Sequence, residues 1–438
     1  MEKVYDHHSI EKKWNNRWGE TKIFNPWNQI NRSPFYFLLS PPQKSDFLDT
    51  DHIIDLSVQD IIFRRIKMQK SQFPESESPH YRVIKKQKDL KSNKTGIETA
   101  EVEKIINKFG SDAFKFTLAV QAGPSGDISL SINQLKGYRA FTNKIWNASR
   151  YVIMNLQGNE NLNIDNTKIT PVDKWFLHSL NNITDKISHL MDQHIVNEAA
   201  DKLYHFFWHE FCRWYLEYSK INIQKLECRK VLKLSLLHLI QLLHPFIPYI
   251  TEEIYQRLSS GEDFLLEIPL PGFDSKMAFP KEYSAVEQLK NIITETRKTR
   301  AENKIDPNKK IQIYLKSNSK QKRITMAHYL KYYNFLTSSN KTQILDDFSN
   351  DLKGFRGKIS GWGILIPFEN NSERIHELTK LKREFKAINN QIHGMEAKLM
   401  DQQYIKKTSG AGLSVLKKNL LIKYEKREKI QKTICDLT

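Results

Sequence analysis

A segment from about residue 137 to 260 constrains the fold of this chain more than any other, because its apolar residues recur at helical spacing almost without interruption. Aromatic residues cluster within it, most densely at Phe206, Phe207 and Trp208. An aromatic stripe at helical spacing is usually core, so we expect these three side chains to pack inside the protein rather than stack on nucleic-acid bases. The pattern predicts a bundle of helices.

The charge of the chain points to a polyanionic partner. Its 438 residues carry 68 basic and 50 acidic side chains, a net charge of +18, which RNA, DNA or an anionic membrane would each satisfy. No apolar stretch approaches the roughly 18 residues of a membrane span, and the charged N-terminus differs from a signal peptide, so we expect a cytoplasmic location. The widely separated Cys212, Cys228 and Cys435 predict packing residues rather than disulfides or a zinc site.

The N-terminal part shows the pattern strand, loop, helix, which is the usual opening of a nucleotide-binding α/β layer. An apolar run at 35–39 predicts a strand that prolines stop, and apolar residues at helical spacing up to Met68 predict the helix, beginning near Ile53. Residues 70–80 are polar and interrupted by prolines, which predicts a surface connection.

A small α/β segment is predicted after the helical region. A helix from Val286 to Arg300 is followed by two short β-like runs, at 311–315 and 363–367.

The tail from residue 370 onward has apolar residues at alternating spacings of three and four, which is the heptad pattern. A SerGlyAlaGly sequence at 409–412 predicts a turn between two helices, and hence an antiparallel coiled-coil hairpin. The tail carries 15 basic and 8 acidic residues, a net charge of +7, so we expect a basic face, which solvation alone would also explain.

Five stretches together resemble valyl-tRNA synthetase, a class I aminoacyl-tRNA synthetase. Three of them occur in family order and are similar to its anticodon-binding helical domain: FTNKIWNASRYV at 141–152, FCRWYLEYSK at 211–220 and LLHPFIPYITEEI at 242–254. GSDAFKFTLA at 110–119 resembles the link between the catalytic domain and that bundle, and TRAENKIDPNKK at 299–310 resembles a stretch downstream of it. The terminal hairpin is similar to the tRNA-contacting coiled-coil arm of the family. This similarity indicates the valyl enzyme rather than its isoleucyl and leucyl relatives.

The first ATP-binding signature of that family, HxGH, is degenerate in this chain. The corresponding slot reads Asp49, Thr50, Asp51 and His52, so only the second histidine survives. An aspartate adds bulk where glycine permits close approach of the adenosine, and two carboxylates place negative charge near the phosphates. The resemblance therefore implies poor ATP binding, and no catalytic residue is assigned.

The second signature, KMSKS, aligns with residues 91–95, where Lys91, Lys94 and Thr95 keep both lysines and a hydroxyl. Together with His52 they form the remnant of an ATP site. Only 38 residues separate His52 from Lys91, which is too few for the valine pocket and the editing domain that the family places between these signatures. We infer a large internal deletion at about residues 70–80.

The predicted fold class is mainly α with α/β parts, and a chain of this length fits about three folding units. We expect a truncated Rossmann-like remnant of the class I catalytic domain at 1–136 and the anticodon-binding helical bundle at 137–281. The small α/β segment would occupy 282–369, and the coiled-coil tRNA-binding arm 370–438.

The favoured function is binding of valine tRNA without aminoacylation, through cations that neutralise phosphates and a few aromatic or polar side chains that read anticodon bases. The candidate contacts in the body are Arg139, Asn143, Trp146, Asn147, Arg150, Arg213, Trp214, Lys220, Arg297 and Arg300. Those in the arm are Lys380, Lys382, Arg383 and Lys386. For Trp146 and Trp214 burial in the bundle is the stronger interpretation.

Three alternatives stay open. A residual valine–tRNA ligase is motivated by His52, Lys91 and Lys94, and it would use ATP, a cofactor not otherwise expected. A partner subunit could associate with a full-length synthetase through the coiled coil or an unpaired sheet edge. The product of a decaying gene is the third, and the largely intact heptads and bundle pattern argue against it. No metal or membrane partner is expected.

Overall fold

The computed structural model divides into two compact units, Met1–Ser284 and Ala285–Thr438. The residues that it describes are 1–21, 23, 47–69, 96–122, 131–158, 160–259, 263–349 and 351–437. The predicted strand at 35–39, the inferred deletion at 70–80 and the KMSKS-like Lys91, Lys94 and Thr95 lie outside the described residues. Across the described ranges, no helix is both long and apolar enough to cross a membrane.

The first unit is mostly helical. Its strands β1 (Phe47–Asp49) and β2 (Gly96–Glu98) form a short antiparallel pair. Its helices are α1 (His7–Thr21), α2 (Thr50–Met68), α3 (Thr99–Phe109), α4 (Ser111–Gln121), α5 (Ile132–Asn155), α6 (Pro171–Asp192), α7 (Val196–His205), α8 (Leu216–Ser219), α9 (Leu226–Leu243) and α10 (Pro248–Leu258). A π-helical segment, Phe206–Tyr215, joins α7 to α8.

The helical character predicted from residue 137 to 260 is confirmed, since α5 to α10 occupy this range. The helix predicted up to Met68 is confirmed as α2, with Ile54 and Ile61 buried on its inner side. Because β1 and β2 pair antiparallel over three residues each, the described part of this unit contains no parallel layer. The Rossmann-like remnant therefore stays a prediction.

The start of α6 shows how the sequence begins and buries a helix of the bundle. Asp173 accepts from the Thr170 N–H (3.0 Å) and donates its own N–H to the Thr170 hydroxyl (3.3 Å), a capping box with Pro171 in the first turn. The same carboxylate accepts from the Tyr215 hydroxyl at 2.9 Å, and the rings of Phe176 and Tyr215 stack 4.1 Å apart. One acidic side chain thus begins α6 and fixes the π-helical segment against it.

Asp112 connects α4 to the first turn of α10. Its side chain is buried and accepts from the backbone N–H groups of Tyr249 (3.1 Å) and Ile250 (2.8 Å). Burial, with a smaller contribution from the Glu11 carboxylate, raises the pKa of Asp112 from 3.8 to about 7. The folded protein therefore keeps a proton that the unfolded chain loses near pH 4.

We expect Asp112 to make the first unit more stable at pH 5 than at pH 7.5. The pKa of Asp112 is higher in the folded than in the unfolded protein, so its full contribution to stability is present below about pH 4 and is lost as the pH rises towards 7. About 2–3 kcal/mol of this contribution is lost above pH 5. Relative to the wild type, Asp112→Asn should shift the change in thermal midpoint from pH 5 to pH 7.5 in the stabilising direction. Glu252, whose pKa burial raises to about 7, and His238 and His244, whose pKa values burial lowers, contribute to the pH dependence of both proteins alike. An Asp112→Asn difference equal to that of the exposed-site control Asp263→Asn would contradict this assignment.

The second unit combines a four-stranded sheet with helices. The strand order is β4–β3–β6–β5, in which β3 and β4 run parallel and the other neighbours antiparallel. Its elements are α11 (Pro280–Glu302, which begins before the unit), β3 (Ile311–Lys316), α12 (Lys320–Thr337), β4 (Ser339–Leu345), β5 (Gly354–Ile359), β6 (Trp362–Pro367), α13 (Asn371–Met400), α14 (Gln402–Lys407) and α15 (Gly410–Leu437). The predicted helix and both predicted strands are confirmed, whereas α12, β4 and β5 were not predicted.

Helices α13 and α15 pack along each other as an antiparallel hairpin. Lys423 reaches Gln391 and Lys426 reaches Glu384, each at 2.7 Å, so the two chains run in opposite directions. The buried side chains between them are Leu381, Ile388, Ile392 and Ile430. The supercoil of a true coiled coil stays a prediction.

The connection between these helices differs from the predicted turn at 409–412. Gly410 already begins α15, because the Ser409 hydroxyl accepts from the Gly412 N–H at 3.2 Å and so caps the new helix. The chain reverses earlier, through residues 401–409, which include α14.

The cysteines differ from one another. Cys212 and Cys228 are buried, and burial raises the pKa of Cys212 to about 12, so these thiols stay protonated and act as packing residues. Cys435 is exposed, so its expected packing role was wrong.

Candidate nucleic-acid interface

Helix α5 lies alongside the continuous stretch of α7, the π-helical segment and α8. Phe141 of α5 packs against Tyr204 (ring centroids 4.9 Å apart) and Phe207 (5.9 Å). Phe206 and Phe207 are buried, which confirms the packing role predicted for them.

Trp208 differs from these two neighbours because it is only partly buried. Its ring stacks on Tyr204 with centroids 5.8 Å apart and planes inclined by 30°, and Lys144 Nζ lies 5.7 Å from its centroid. The centroids of the Trp208 and Phe141 rings lie 6.4 Å apart, and the ring planes are inclined by 33°. An aromatic ring that reaches the surface beside a cation is suited to stack on a base, so the packing prediction holds for Trp208 only in part.

A second row of side chains runs beside Trp208. His205 and His209 stack with centroids 5.6 Å apart, and Arg213 is exposed. Burial, followed by the charges of His205 and Arg213, lowers the pKa of His209, so this ring is neutral at pH 7 and can both donate and accept. We call the set of Lys144, Tyr204, Trp208, His209 and Arg213 the bundle face.

Three predicted contacts are placed elsewhere. Arg139 lies 4.8 Å from the centroid of the Tyr5 ring and donates to the Tyr5 carbonyl at 3.3 Å, so it holds the N-terminal segment. The indole N–H of Trp146 donates to the Glu2 carbonyl at 2.9 Å, and Trp146 is 2% exposed. Trp214 is 6% exposed. The two indoles are therefore removed from the proposed contacts, because the fold itself covers them.

Arg297 and Arg300 of α11 bind backbone carbonyl groups of the second unit. Arg300 is buried and donates to Thr337 (2.6 Å) and Lys309 (2.8 Å), while Arg297 donates twice to Leu336, at 2.8 and 3.0 Å. Arg300 is thus removed as an RNA contact, because its guanidinium donates to one carbonyl group at the end of α12 and to another just before β3.

The remaining predicted body contacts reach the surface to different extents. Asn147 follows Lys144 by three residues on α5 and so borders the bundle face. Lys220 pairs with Glu217 at 2.6 Å. Asn147, Arg213 and Lys220 are exposed, and Asn143 and Arg150 are half-buried. Arg213 and Asn147 are therefore exposed on neighbouring helices, whereas Arg139 is bound to the N-terminal segment.

Four predicted arm contacts lie on α13 and are exposed. Lys380 pairs with Glu377 at 3.4 Å. Lys382, Arg383 and Lys386 form no ion pair with any carboxylate in the described ranges. Their charge is therefore not neutralised within the arm and is available to a phosphate.

The degenerate HxGH slot lies at the junction of a strand and a helix. Asp49 is the last residue of β1, and Thr50, Asp51 and His52 form the first turn of α2. The other predicted residues of the ATP-site remnant, Lys91, Lys94 and Thr95, lie outside the described residues.

Three members of the bundle face were missed by sequence reasoning: Lys144, Tyr204 and His209. The four-residue spacing of Tyr204 and Trp208 places both rings on one side of a helix, and this was the available signal. Which of the three consecutive aromatic residues reaches the surface depends on the π-helical geometry, which the periodicity alone does not show.

A family model described as the anticodon-binding domain of tRNA ligase matches residues 173–315, a range that contains every residue of the bundle face except Lys144. Several valine–tRNA ligases are similar to this chain. The protein of Listeria innocua serovar 6a is 31% identical over 324 residues, which are 72% of this chain and 36% of the relative. That of Carboxydothermus hydrogenoformans is 29% identical over 349 residues, 78% and 39% of the two chains, and that of Fervidobacterium nodosum 36% over 230 residues, 52% and 26%.

The similarity covers most of this chain, whereas the chain spans little more than a third of the length of the first two relatives. The family model covers α7 and the π-helical segment of the bundle face, and the similarity to the valine–tRNA ligases spans more residues than that model does. The chain therefore belongs to the valyl-tRNA synthetase family.

Proposed function

We propose that this chain binds valine tRNA through the bundle face and the basic α13–α15 arm, and that it does so without aminoacylating the tRNA. The observation that carries the proposal is the bundle face itself, where a partly exposed indole stacks on Tyr204 beside Lys144, within helices that resemble an anticodon-binding domain. Stacking would hold an unpaired anticodon base, while Lys144 and Arg213 would neutralise the adjoining phosphates.

The arm would supply the second contact. Its uncompensated cations, Lys382, Arg383 and Lys386, suit the phosphates of a tRNA helix, and such contacts fix orientation rather than read sequence. Valine specificity would then come from the bases that meet the bundle face.

The absence of aminoacylation rests on the HxGH slot and on the short interval that follows it. Two aspartates oppose phosphate binding, and 38 residues cannot supply the valine pocket. We also propose that the chain has an internal deletion, a Rossmann-like remnant, a division into four domains and a cytoplasmic location.

Titration with valine and leucine tRNA transcripts at about 50 and 200 mM salt tests the binding. We expect tighter binding of the valine transcript and a steep loss of affinity at the higher salt. Equal affinity for both would reduce the proposal to unspecific RNA binding, and no binding would overturn it.

Valine-dependent exchange of pyrophosphate into ATP tests the proposed inactivity, because valine activation needs no tRNA. A rate above background would establish the residual ligase instead. A complex with a full-length synthetase that survives nuclease treatment would favour the partner-subunit alternative.

Trp208→Ala is expected to weaken the binding of valine tRNA about fivefold or more, because loss of one stacked base costs about 1–3 kcal/mol. The salt dependence should stay the same, since no charge is removed. The matched control is Phe335→Ala, which removes an aromatic side chain that is 47% exposed on α12, outside the bundle face. Equal affinities of the two variants would contradict the role of the indole.

A further inference from the structure

We propose that the face of the four-stranded sheet that lies opposite α11 and α12, which we call the open face, binds single-stranded RNA whose bases are unstacked, such as a tRNA loop. The inference rests on the proposed function and deepens it, since it adds a third RNA contact to the bundle face and the arm.

Both neighbouring helices pack on one face of this sheet. Thr342 of β4 donates its hydroxyl to Asn334 of α12 at 2.6 Å, and a Cβ at Gly357 of β5 would come within 2.6 Å of a hydroxyl on α11. The strand register places these two residues on the same face. The helices also contact each other, through Thr296 and Tyr333 at 2.8 Å. The buried side chains of this face include Ile313, Leu315, Ile364 and Ile366.

The opposite face has a different composition. Tyr314 of β3 lies at its centre, with Gln343 of β4 on one side and Leu365 of β6 on the other. Arg356 of β5 lies beyond Leu365 in the same row. Leu365 is fully buried, whereas Tyr314 and Gln343 are half-buried and Arg356 is exposed. Polar and aromatic groups therefore form the accessible part of this row.

The next row adds a second aromatic ring. Lys316, Gly363 and Lys358 are register partners across β3, β6 and β5. Because residue 363 is a glycine, the ring of Phe348 lies against the strand at a position where a Cβ would come within 3.1 Å of it. Lys316 Nζ lies 5.8 Å from the centroid of that ring and also pairs with Asp347. Tyr314 and Phe348 thus supply two rings among cations.

The charge of this region selects a polyanion. Outside α12, residues 311–367 contain five basic and three acidic side chains, a net charge of +2, and all three acids lie in the segment 346–351 between β4 and β5. The exposed cations of the open face are Lys341, Arg356 and Lys358. This arrangement resembles the electrostatic footprint of a nucleic-acid surface.

Unpaired RNA fits the face better than a duplex or a protein. Splayed bases stack on aromatic side chains and present their edges to hydrogen-bonding groups such as Gln312 and Gln343, whereas a base-paired helix hides the faces of its bases. A stable protein interface needs an apolar centre, and the central apolar residue here, Leu365, is already buried.

Two variants of the full chain test the inference, with a valine tRNA transcript and a short oligouridylate as probes. Arg356→Glu/Lys358→Glu should weaken oligouridylate binding about tenfold and lower the salt slope by about 1.4, the value for two phosphate contacts to a single strand. Tyr314→Ala should weaken it about fivefold with an unchanged slope. The control Lys320→Glu/Lys331→Glu reverses two exposed charges on α12, on the helix-covered side of the sheet, and should retain wild-type affinity.

Each outcome separates this inference from the proposed function. If the wild type binds tRNA and the sheet variants bind both probes with the affinity of the control, the inference about the sheet surface is overturned and the proposed function stands. Oligouridylate binding that the sheet variants lose, without tRNA binding by the wild type, would overturn the proposed function and keep the sheet surface. A wild-type chain that binds neither probe would overturn both and favour a protein partner for this face. Thermal midpoints equal to that of the wild type exclude misfolding of the variants.

Discussion

Reversal of charge at Lys382, Arg383 and Lys386 to glutamate is expected to weaken the binding of valine tRNA by about a hundredfold at moderate salt, with a salt slope lower by about 2.7, since each phosphate contact to a duplex contributes about 0.9. The three side chains are exposed and form no ion pair with a described carboxylate, so they lose no internal partner when substituted. Fluorescence titration at several salt concentrations measures both quantities.

Two controls separate local from global charge. Lys382→Arg/Arg383→Lys/Lys386→Arg keeps the positive charge and should bind within about threefold of the wild type. Lys12→Glu/Lys186→Glu/Lys331→Glu makes the same change in net charge at exposed positions outside the bundle face and the arm. If this second variant were weakened as much as the arm variant, the arm would have no specific role.

Arg229→Met is expected to lower the free energy of unfolding of the first unit by about 3–5 kcal/mol, because it leaves a buried carboxylate without its cation. Arg229 is 4% exposed and its Nε donates to Glu160 at 2.7 Å; its other nitrogens donate to Gln157 and Gln224, each at 2.8 Å. Glu160 is 2% exposed. Urea unfolding followed by tryptophan fluorescence gives the loss.

The double variant Arg229→Met/Glu160→Leu tests the cause. It removes both charges, so it should recover a large part of the lost stability. Lys220→Met, which breaks the exposed pair with Glu217, should change stability by less than about 1 kcal/mol. A double variant as unstable as Arg229→Met would show that packing, rather than the unpaired charge, causes the loss.

The helices were predictable because their signal is local. Apolar periodicity over more than a hundred residues leaves few alternatives to a bundle, and the heptad pattern of the tail is similarly direct. Strands β4 and β5 gave no such signal, since SNKTQIL is mostly polar and GFRGKI contains two glycines. They exist because β3 and β6 offer paired neighbours, which is a tertiary effect.

The candidate site was predictable by segment but not by side chain. The quoted motifs located the helices that carry the bundle face, yet Arg139 and Trp146 are bound by residues 2–5, more than 130 positions earlier in the chain. Arg300 is held in part by the carbonyl group of Thr337, the last residue of α12, a helix that was not predicted. Contacts between residues distant in sequence decide whether a cation or an indole inside a motif faces solvent, and no local pattern records them.

The π-helical segment sets the angular spacing of the bundle face. Its hydrogen bonds join residues five apart, so the angle about the helix axis between Arg213 and Trp208, five positions earlier, is smaller than the roughly 140° that an α-helix would give. Insertion or loss of a single residue within Phe206–Tyr215 would interconvert these two geometries without altering any side chain of the face. In this family, the relative position of cation and ring can therefore diverge by a change of helix pitch, in steps that a comparison of residue identities alone would not reveal.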